Sequence, residues 1–557
     1  MAKLSNPRTV LAVTSPRTLE KTIPEIDLLI QHFNGQVWNP ASQIKYFDRL
    51  YASPFYDGES LPKDKAFAAR DRINRAPKAL GFVDLGPVID LTEAGERLLG
   101  GKRIHETFAK QLFKFQLPSP YHLIPHDSEM NIRPYLELLR LFYDFGELSK
   151  KEIAMFFVPT IHYSDYSEVV KKIKTYRTAV TKIKTNRKAW IQNYYDAELK
   201  KVYDDEISAG KFATRQSKEK TLQKFLATKR GLHNDYADAL VRYLRATQLI
   251  TFNTKTLRPI LAPSQKEEAK FILDTVEPSA WEFANEDSFK AYMFNPEELQ
   301  LLTDDRDYLT KKLDQLKVIY KAKDDIGTLK DLLEAAENGH MQQVLQQTAV
   351  ALKNYQEFDD VIDMFDKIKK KEVPDTSLFL EWNVWRSMVM INYVKDCKGN
   401  FSFDFDGVPL STAQGNKPDI QAEYDGFNMI VEVTMSAGNT QFNMEGESVA
   451  RHFGNMQKDN NIPTYCIFIA PKISEGTLAH FFNLNRFNTK MYGGKTRIVP
   501  MNLDHFIAFI RIAKDKDFKD PQKLKAYLDG LIEHGRSAVD EDVWFAQIDT
   551  SISTWVN

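Results

Sequence analysis

The sequence predicts a multidomain protein of the mixed α+β class. A chain of 557 residues is too long for one hydrophobic core, and this length predicts about three or four domains. A helical apolar pattern followed by a short hairpin pattern occurs twice in the first half of the chain. The last third alternates helical and strand patterns in an order typical of a mixed central sheet.

The charges are balanced in total, with 75 basic and 76 acidic side chains, but they are unevenly distributed. Residues 165–230 contain 17 Lys and Arg against 8 Asp and Glu, whereas acidic residues crowd the stretch 267–307. One part of the chain could therefore meet a polyanion while another supplies carboxylates. The alternative is a set of solvated helix faces.

The composition also excludes several classes of protein. Cys397 and Cys466 are isolated, so a disulfide framework and a cysteine-based zinc site are both excluded. No apolar run reaches about 18 residues, and the N-terminus lacks a signal-peptide pattern. We expect a protein that stays inside the cell, with no membrane partner.

The first segment, residues 1–125, contains a helix, a hairpin and a second helix. Residues 66–79 have a largely helical pattern, and two short apolar runs around Gly86 and Pro87 predict a hairpin. Thr92 is expected to cap the helix that follows. This order resembles a winged-helix module, which reads DNA. The basic side chains of the first helix that could approach base edges are Arg70, Arg72, Arg75 and Lys78.

The second segment, residues 126–295, repeats the pattern around a basic helical insert. A helix is predicted at 134–145, Ser149 is expected to cap the next one, and a helix at 235–248 leads into a hairpin that ends near residue 261. We interpret the two segments as tandem winged-helix-like DNA-recognition units, although such units also serve as protein docking platforms. The basic residues expected to contact DNA here are Lys171, Lys172, Lys174, Arg242 and Arg245.

Residues 296–375 are rich in Lys, Glu, Leu and Gln and predict a polar helical linker. The last segment, 376–557, predicts helices and the strands of a mixed sheet. Asp425-Gly426 is a strong turn signal between two of these strands. The predicted elements are a helix at 378–393, strands at 401–405, 419–424 and 427–435, a helix at 448–458, and strands at 465–470 and 497–501.

Two carboxylates meet in this predicted hairpin. Asp419 begins one strand and Glu432 lies in the next, so the turn should bring the two side chains together. Paired carboxylates suit a hard divalent cation, to which the Val433 carbonyl could add an oxygen. Such a metal supports phosphodiester hydrolysis by lowering the pKa of a bound water. The pattern resembles the PD-(D/E)xK nuclease signature, with Thr434 at the lysine position; the alternative is a hairpin with two solvated acids.

Three further residues extend this group. Glu445 lies at the approach to the next helix, and Glu381 lies on the apolar helix at 378–393, where a buried carboxylate would need a partner or a metal. If Glu381 faces outward instead, it needs neither. His452 follows Glu445 and could bind phosphate or transfer a proton, although a structural role is the alternative.

Longer runs resemble the AlwI-type family of type IIS restriction endonucleases, whose relatives include site-specific nicking endonucleases. The similar runs in the last segment are FLEWNVWR, GNKPDIQAEYDGFNMIVEVTMSAGNTQFNMEGESVARHF and YCIFIAPKI. Near the N-terminus they are TSPRT, AARDRINRAPKALGF, LTEAGERLL and KQLFKFQLPSP. The resemblance therefore spans both ends of the chain, in order, and it identifies the last segment as a PD-(D/E)xK-like α/β nuclease domain.

The resemblance implies an Mg²⁺-dependent enzyme that binds a short asymmetric site in double-stranded DNA and cuts a few nucleotides to one side. It places Glu381, Asp419, Glu432 and Glu445 in the acidic site, with Asp419 and Glu432 holding the metal and His452 supporting. Thr434 matches a threonine of the family. The resemblance further implies a prokaryotic, cytoplasmic restriction-modification system with a cognate DNA methyltransferase.

One acidic cluster per chain implies one strand cut per active site. Cutting both strands would then require a homodimer, a second subunit or sequential docking, and nicking is the other outcome. The rival interpretation is a winged-helix DNA-binding regulator that does not cleave, in which the nuclease-like domain only docks. Retention of all four carboxylates favours the nuclease.

Overall fold

The computed structural model describes residues 2–3, 7–11, 13–53, 55–56, 61–124, 128–214, 217, 219–391, 393–413, 417–459 and 462–556. Contacts divide the chain into two compact units, Met1–Ala336 and Glu337–Asn557. Both units contain helices and strands, so the mixed α+β multidomain class is confirmed. The predicted boundary at residues 125 and 126 lies outside the described residues, and the division into four segments remains a prediction.

The first unit is mainly helical. Its short strands are β1 (Ala2–Lys3), β2 (Val83–Asp84), β3 (Asp90–Leu91), β4 (His122–Leu123), β5 (Ile250–Phe252) and β6 (Pro259–Leu261). Its helices are α1 (Thr22–Phe33), α2 (Pro40–Tyr51), α3 (Lys65–Ile73), α4 (Ala76–Ala79), α5 (Glu93–Leu99), α6 (Ile104–Lys114), α7 (Pro134–Phe145), α8 (Lys150–Glu152), α9 (Tyr166–Thr181), α10 (Arg187–Val202), α11 (Asp204–Ser208), α12 (Leu222–Arg245), α13 (Lys266–Thr275), α14 (Glu286–Phe294), α15 (Arg306–Gln315) and α16 (Ile326–Lys353), the last of which continues into the second unit.

Both predicted hairpins and both predicted caps are present in the first unit. Strands β2 and β3 pair antiparallel, as do β5 and β6. The Thr92 hydroxyl accepts a hydrogen bond from the Gly95 N–H, and Ser149 forms a capping box with Glu152. The single helix predicted at 66–79 is instead α3 followed by α4. A break there is expected because Pro77 has no N–H to continue the hydrogen-bond ladder of α3.

Gly95 allows α5 to pack closely against the β2–β3 hairpin. A Cβ atom there would lie 2.1 Å from the Phe82 carbonyl oxygen and 2.6 Å from a Leu91 methyl group. We therefore expect Gly95→Ala to lower the free energy of unfolding by about 2–3 kcal/mol, measured by urea denaturation. Gly231→Ala is the matched control, because its Cβ meets nothing within 4 Å in α12 and should stabilise by about 1 kcal/mol. Equal midpoints for the two variants would contradict this packing.

The segment predicted to be a polar linker carries apolar stripes. Leu309 and Leu313 of α15 pack with Leu329 and Leu333 of α16 in one buried cluster. The next helix, α17 (Phe358–Lys369), buries five apolar side chains and packs against α18 (Thr376–Met390). These helices thus contribute to hydrophobic cores, which the overall polarity of the segment concealed.

A five-stranded mixed sheet forms the centre of the second unit. The strand order is β13-β12-β11-β10-β7, with β7, β10 and β11 antiparallel and β11, β12 and β13 parallel. Helix α18 packs against β10 and β11. The remaining bounds are β7 (Asp396–Gly399), β8 (Ser402–Phe403), β9 (Pro409–Ser411), β10 (Ile420–Tyr424), β11 (Phe427–Val433), α19 (Gly438–Asp459), β12 (Thr464–Ala470), α20 (Glu475–Arg486), β13 (Ile498–Asn502), α21 (Leu503–Asp515), α22 (Pro521–Ser537) and α23 (Glu541–Ser551).

The predicted mixed sheet is confirmed, with two corrections. The strand expected at 401–405 is only β8, which pairs with β9 rather than joining the five-stranded sheet. Helix α19 begins at Gly438, ten residues before the predicted start at 448, so Glu445 lies inside a helix. Within the described residues, no helix is long and apolar enough to cross a membrane.

Candidate active site

Strand pairing brings Asp419 and Glu432 together although they are 13 residues apart in sequence. Ile420 pairs with Val431 across the β10–β11 hairpin, so Asp419 and Glu432 lie opposite each other one position farther along. The Val433 N–H donates to Asp419 Oδ2 over 2.7 Å, and the Asp419 N–H donates to the Glu432 carboxylate. The backbone therefore fixes both carboxylates at the same end of the hairpin.

Glu381 and Glu445 approach this pair from two helices. Glu381 is only 6% exposed on α18, and its Oε2 accepts a hydrogen bond from the Ala413 N–H over 3.0 Å. Glu445 lies on α19, where its carboxylate is hydrogen-bonded to the Thr434 side chain. The structure thus brings all four predicted acids into one region and resolves the alternative for Glu381, which faces inward.

Burial raises the pKa of each of these carboxyls, and repulsion from neighbouring acids raises it further at Glu381, Asp419 and Glu432. Burial is the largest cause at all four, and the negative charge of Asp419 further raises the pKa of Glu381. Glu445 likewise raises the pKa values of Asp419 and Glu432. His452 contacts Glu432, and the charge of Arg451, which pairs with Glu447, offsets part of the rise in the pKa of Glu432. Gathering four carboxylates in a largely buried region is costly, so the cluster favours a bound cation.

The donor set fits a hard divalent ion, because every ligand atom offered is a carboxylate oxygen. In the described part of the chain, no three His, Cys, Asp or Glu side chains are arranged closely enough to enclose an ion as they stand. Asp419 and Glu432 are the pair that the backbone holds together. These two residues are therefore the first candidates to hold a metal.

His452 contacts Glu432 directly. Its Nδ1 lies 2.8 Å from Glu432 Oε1, and burial, assisted by the Arg451 charge, lowers the pKa of His452 to about 4. The imidazole is therefore neutral at neutral pH; toward an ionised Glu432 its Nδ1–H donates, which leaves a lone pair on Nε2. Nε2 is buried and has no hydrogen-bond partner among the described residues. Such a histidine can orient Glu432.

Thr434, which stands at the lysine position of the nuclease signature, contacts one of the acids. In the structure its hydroxyl oxygen accepts from the Ser436 N–H over 3.0 Å, and its side chain is hydrogen-bonded to Glu445. The Thr434 N–H still pairs with the Ile469 carbonyl, which continues the strand geometry of β11. Alternate residues of a strand share a face, so the spacing from Glu432 was a signal that Thr434 reaches the acids.

The basic residues predicted on the first recognition unit occupy different environments. Arg72 pairs with buried Glu25 and lies over the Tyr56 ring, whereas Lys78 lies 4.5 Å from the centre of the Tyr121 ring. Arg75 is the one exposed side chain of the four; 44% of it is exposed and it pairs with Asp71, whereas Arg70 is half-buried and donates to Gln43.

The second set also divides into surface and internal residues. Lys171 and Lys174 are exposed on α9, and Lys172 is half-buried. Arg242 pairs with Asp238 on its own helix, while Arg245 is buried over the Phe252 ring. Arg245 is therefore not accessible for the DNA contact predicted for it, whereas Lys171 and Lys174 are accessible.

Solved structures similar to the chain include two endonuclease proteins. One is the small subunit, R.BspD6I2, of the heterodimeric restriction endonuclease R.BspD6I, with 26% identity, a TM-score of 0.30, and coverage of 35% of this chain and 98% of that chain. The other is the BpuJ1 endonuclease binding domain, crystallised with pyrene- and phenanthrene-modified DNA, with 17% identity, a TM-score of 0.33, and coverage of 52% and 95%. No curated protein shows a significant match.

The family model of the AlwI restriction endonuclease matches residues 79–509. This match extends from the end of α4, through both hairpins of the first unit, to α21 of the second. It therefore includes Glu381, Asp419, Glu432, Glu445 and His452. The chain belongs to the AlwI restriction endonuclease family.

Proposed function

We propose that the chain is an Mg²⁺-dependent type IIS restriction endonuclease or a strand-specific nicking endonuclease. It would bind a short asymmetric site in duplex DNA and hydrolyse phosphodiester bonds a few nucleotides to one side. The observation that carries this proposal is the convergence of four acids in a chain of a restriction endonuclease family; two of them, Glu381 and Glu432, are buried, and Asp419 and Glu445 are half-buried.

The acids have distinct parts in this proposal. Asp419 and Glu432 would hold the divalent cation, since the hairpin backbone already orients both carboxylates. When bound, the cation lowers the pKa of water and offsets the charge that develops on the phosphate oxygens. Glu381 and Glu445 add negative charge beside the pair and fix the affinity for the cation. Water is the nucleophile, and the products carry 5′-phosphate and 3′-hydroxyl ends.

His452 and Thr434 act on the acids rather than on the metal. The His452 Nδ1–H holds Glu432 in place, and burial keeps the imidazole neutral for this task. The Thr434 side chain holds Glu445 beside the strands. The nuclease signature has a positively charged lysine at this position. Thr434 instead positions Glu445 through a hydrogen bond.

Removing this hydrogen bond should slow cleavage without unfolding the protein. We expect Thr434→Val to lower the single-turnover cleavage rate about 10- to 100-fold, the range observed when residues that orient metal ligands are replaced. Thr434→Ser keeps a hydroxyl and should retain most of the rate. Equal rates for the valine variant and the parent would contradict the positioning role of Thr434.

DNA recognition is assigned to the first unit. We infer that its two helix-and-hairpin segments are winged-helix-like recognition units, and that the second unit is a PD-(D/E)xK-like nuclease. Arg70 and Arg75 are the candidates for base or phosphate contacts near the first hairpin, and Lys171, Lys172 and Lys174 for phosphate contacts. A second copy, or a partner subunit, would serve the opposite strand.

The test is a plasmid digest with Mg²⁺, followed by native and denaturing gels and run-off sequencing of both strands. We expect discrete cuts at a fixed offset from one short asymmetric sequence. Cuts on one strand only would assign the chain to the nicking enzymes. Site-specific binding without any cleavage in Mg²⁺ or Mn²⁺ would instead support the non-cleaving regulator.

A further inference from the structure

The α9–α10 hairpin of the first unit contains a long segment with basic residues and no acidic ones. Residues 169–195 include eight Lys and Arg and no Asp or Glu. Four of these basic residues surround the turn between the two helices, and all four are exposed. We call Lys182, Lys184, Arg187 and Lys188 the basic tip.

Nearby acidic side chains are paired with other basic residues. Within the described part of the chain, none forms a salt bridge with a member of the basic tip. The pairs formed instead are Glu152–Arg177, Glu168–Lys171, Asp196–Arg230 and Glu198–Lys201. Four like charges at one turn repel one another, and a bound polyanion would relieve this repulsion.

Aromatic packing holds the hairpin that carries the basic tip. The Tyr176 ring of α9 stacks on Trp190 of α10, with ring centres 6.2 Å apart and an interplanar angle of 24°. Tyr194 packs against both rings and against Phe156, which lies in a π-helical turn at Ile153–Phe157. The charged turn thus connects two helices that are packed together. Such support holds a binding surface in a fixed position.

We propose that the basic tip binds the sugar-phosphate backbone of duplex DNA without reading its sequence, an inference that rests on the proposed function. Three of the four side chains are lysines, whose point charge on a flexible stem suits phosphate better than the fixed edge of a base. Asn186 gives α10 no side-chain cap, so the first N–H groups of α10 remain available to the same anion.

Lysines along α9 extend this surface. Lys171, Lys174 and Lys182 recur at helical spacing on one face, and the first and last are separated by about 16 Å at 1.5 Å per residue. At 3.4 Å per nucleotide, this distance corresponds to about five nucleotides of one DNA strand. The hairpin therefore supplies affinity for any duplex and leaves sequence discrimination to other elements.

The test replaces the basic tip with glutamine at all four positions. Binding of a random-sequence duplex would be followed by fluorescence anisotropy across a salt series, with EDTA present to prevent cleavage. We expect the slope of log affinity against log salt to decrease by about 3 to 4, and the Kd at 0.1 M salt to rise at least about tenfold. The ratio of site-specific to random-sequence affinity should stay within about twofold of the parent value.

A matched control separates the position of the charges from their number. Lys311, Lys317, Lys321 and Lys323 are also exposed in the first unit, but acidic residues lie beside them in the sequence. Glutamine at these four positions removes the same charge and should leave the slope unchanged. If the parent binds DNA and the basic-tip variant has the same slope of log affinity against log salt, this inference is wrong but the proposed function is unaffected. A parent that neither binds nor cleaves DNA would overturn the proposed function as well.

Discussion

Replacing Asp419 with asparagine is expected to reduce DNA cleavage by at least about a hundredfold to a thousandfold, measured as a single-turnover rate. Asparagine keeps the size of the side chain and can still accept the hydrogen bond from the Val433 N–H, but it removes the charge that attracts a cation. Because the same change relieves repulsion among the buried acids, the variant should also melt at a higher temperature without divalent ions.

Asp425→Asn is the matched control for this experiment. Asp425 belongs to the turn of the same hairpin, but its side chain is 80% exposed and pairs with Lys395 at the surface. This variant should cleave and melt like the parent. An Asp419→Asn protein that cleaves at the parental rate would remove Asp419 from the reaction, whatever the behaviour of the control.

Removal of divalent metal is expected to have the second large effect. Chelation by EDTA should abolish cleavage, and an excess of Mg²⁺ should restore it. Mg²⁺ should also stabilise the parent against thermal unfolding, since a ligand at 100 times its Kd adds about 2.7 kcal/mol to the folded state. The reason is that the cation neutralises carboxylates that otherwise repel one another in a buried region.

The control for this effect is the Asp419→Asn protein, in which Mg²⁺ should produce a much smaller thermal shift. Cleavage that persists in EDTA would contradict the assignment of a divalent metal to these acids. A thermal shift of equal size in parent and variant would place the bound ion elsewhere in the protein.

Local sequence signals were sufficient for much of the fold. The Asp425-Gly426 turn, the Thr92 and Ser149 caps and both hairpins of the first unit were predictable because each depends on a few neighbouring residues. The start of α19 was not predictable in this way, since residues 438–447 are rich in Gly, Asn and Thr, which have low intrinsic helix propensity. Packing of this segment overrides that local preference.

The candidate site was predictable only in part, because local sequence patterns do not reveal contacts between residues that are distant in the chain. The proximity of Asp419 and Glu432 follows from strand pairing, whereas the inward direction of Glu381 does not, because α18 is apolar on nearly every side. Arg72 was assigned to DNA, but its partner Glu25 lies 47 residues earlier in the chain. No pattern in the sequence reveals such a distant pair.

Iron-mediated cleavage of the polypeptide would test the central claim most directly. Fe²⁺ takes the place of Mg²⁺, and peroxide with ascorbate then breaks the backbone close to the bound metal. The four-acid site predicts cuts near residues 381, 419, 432 and 445, which excess Mg²⁺ or Asp419→Asn should suppress. Cuts confined to other parts of the chain would contradict a metal site formed by these acids.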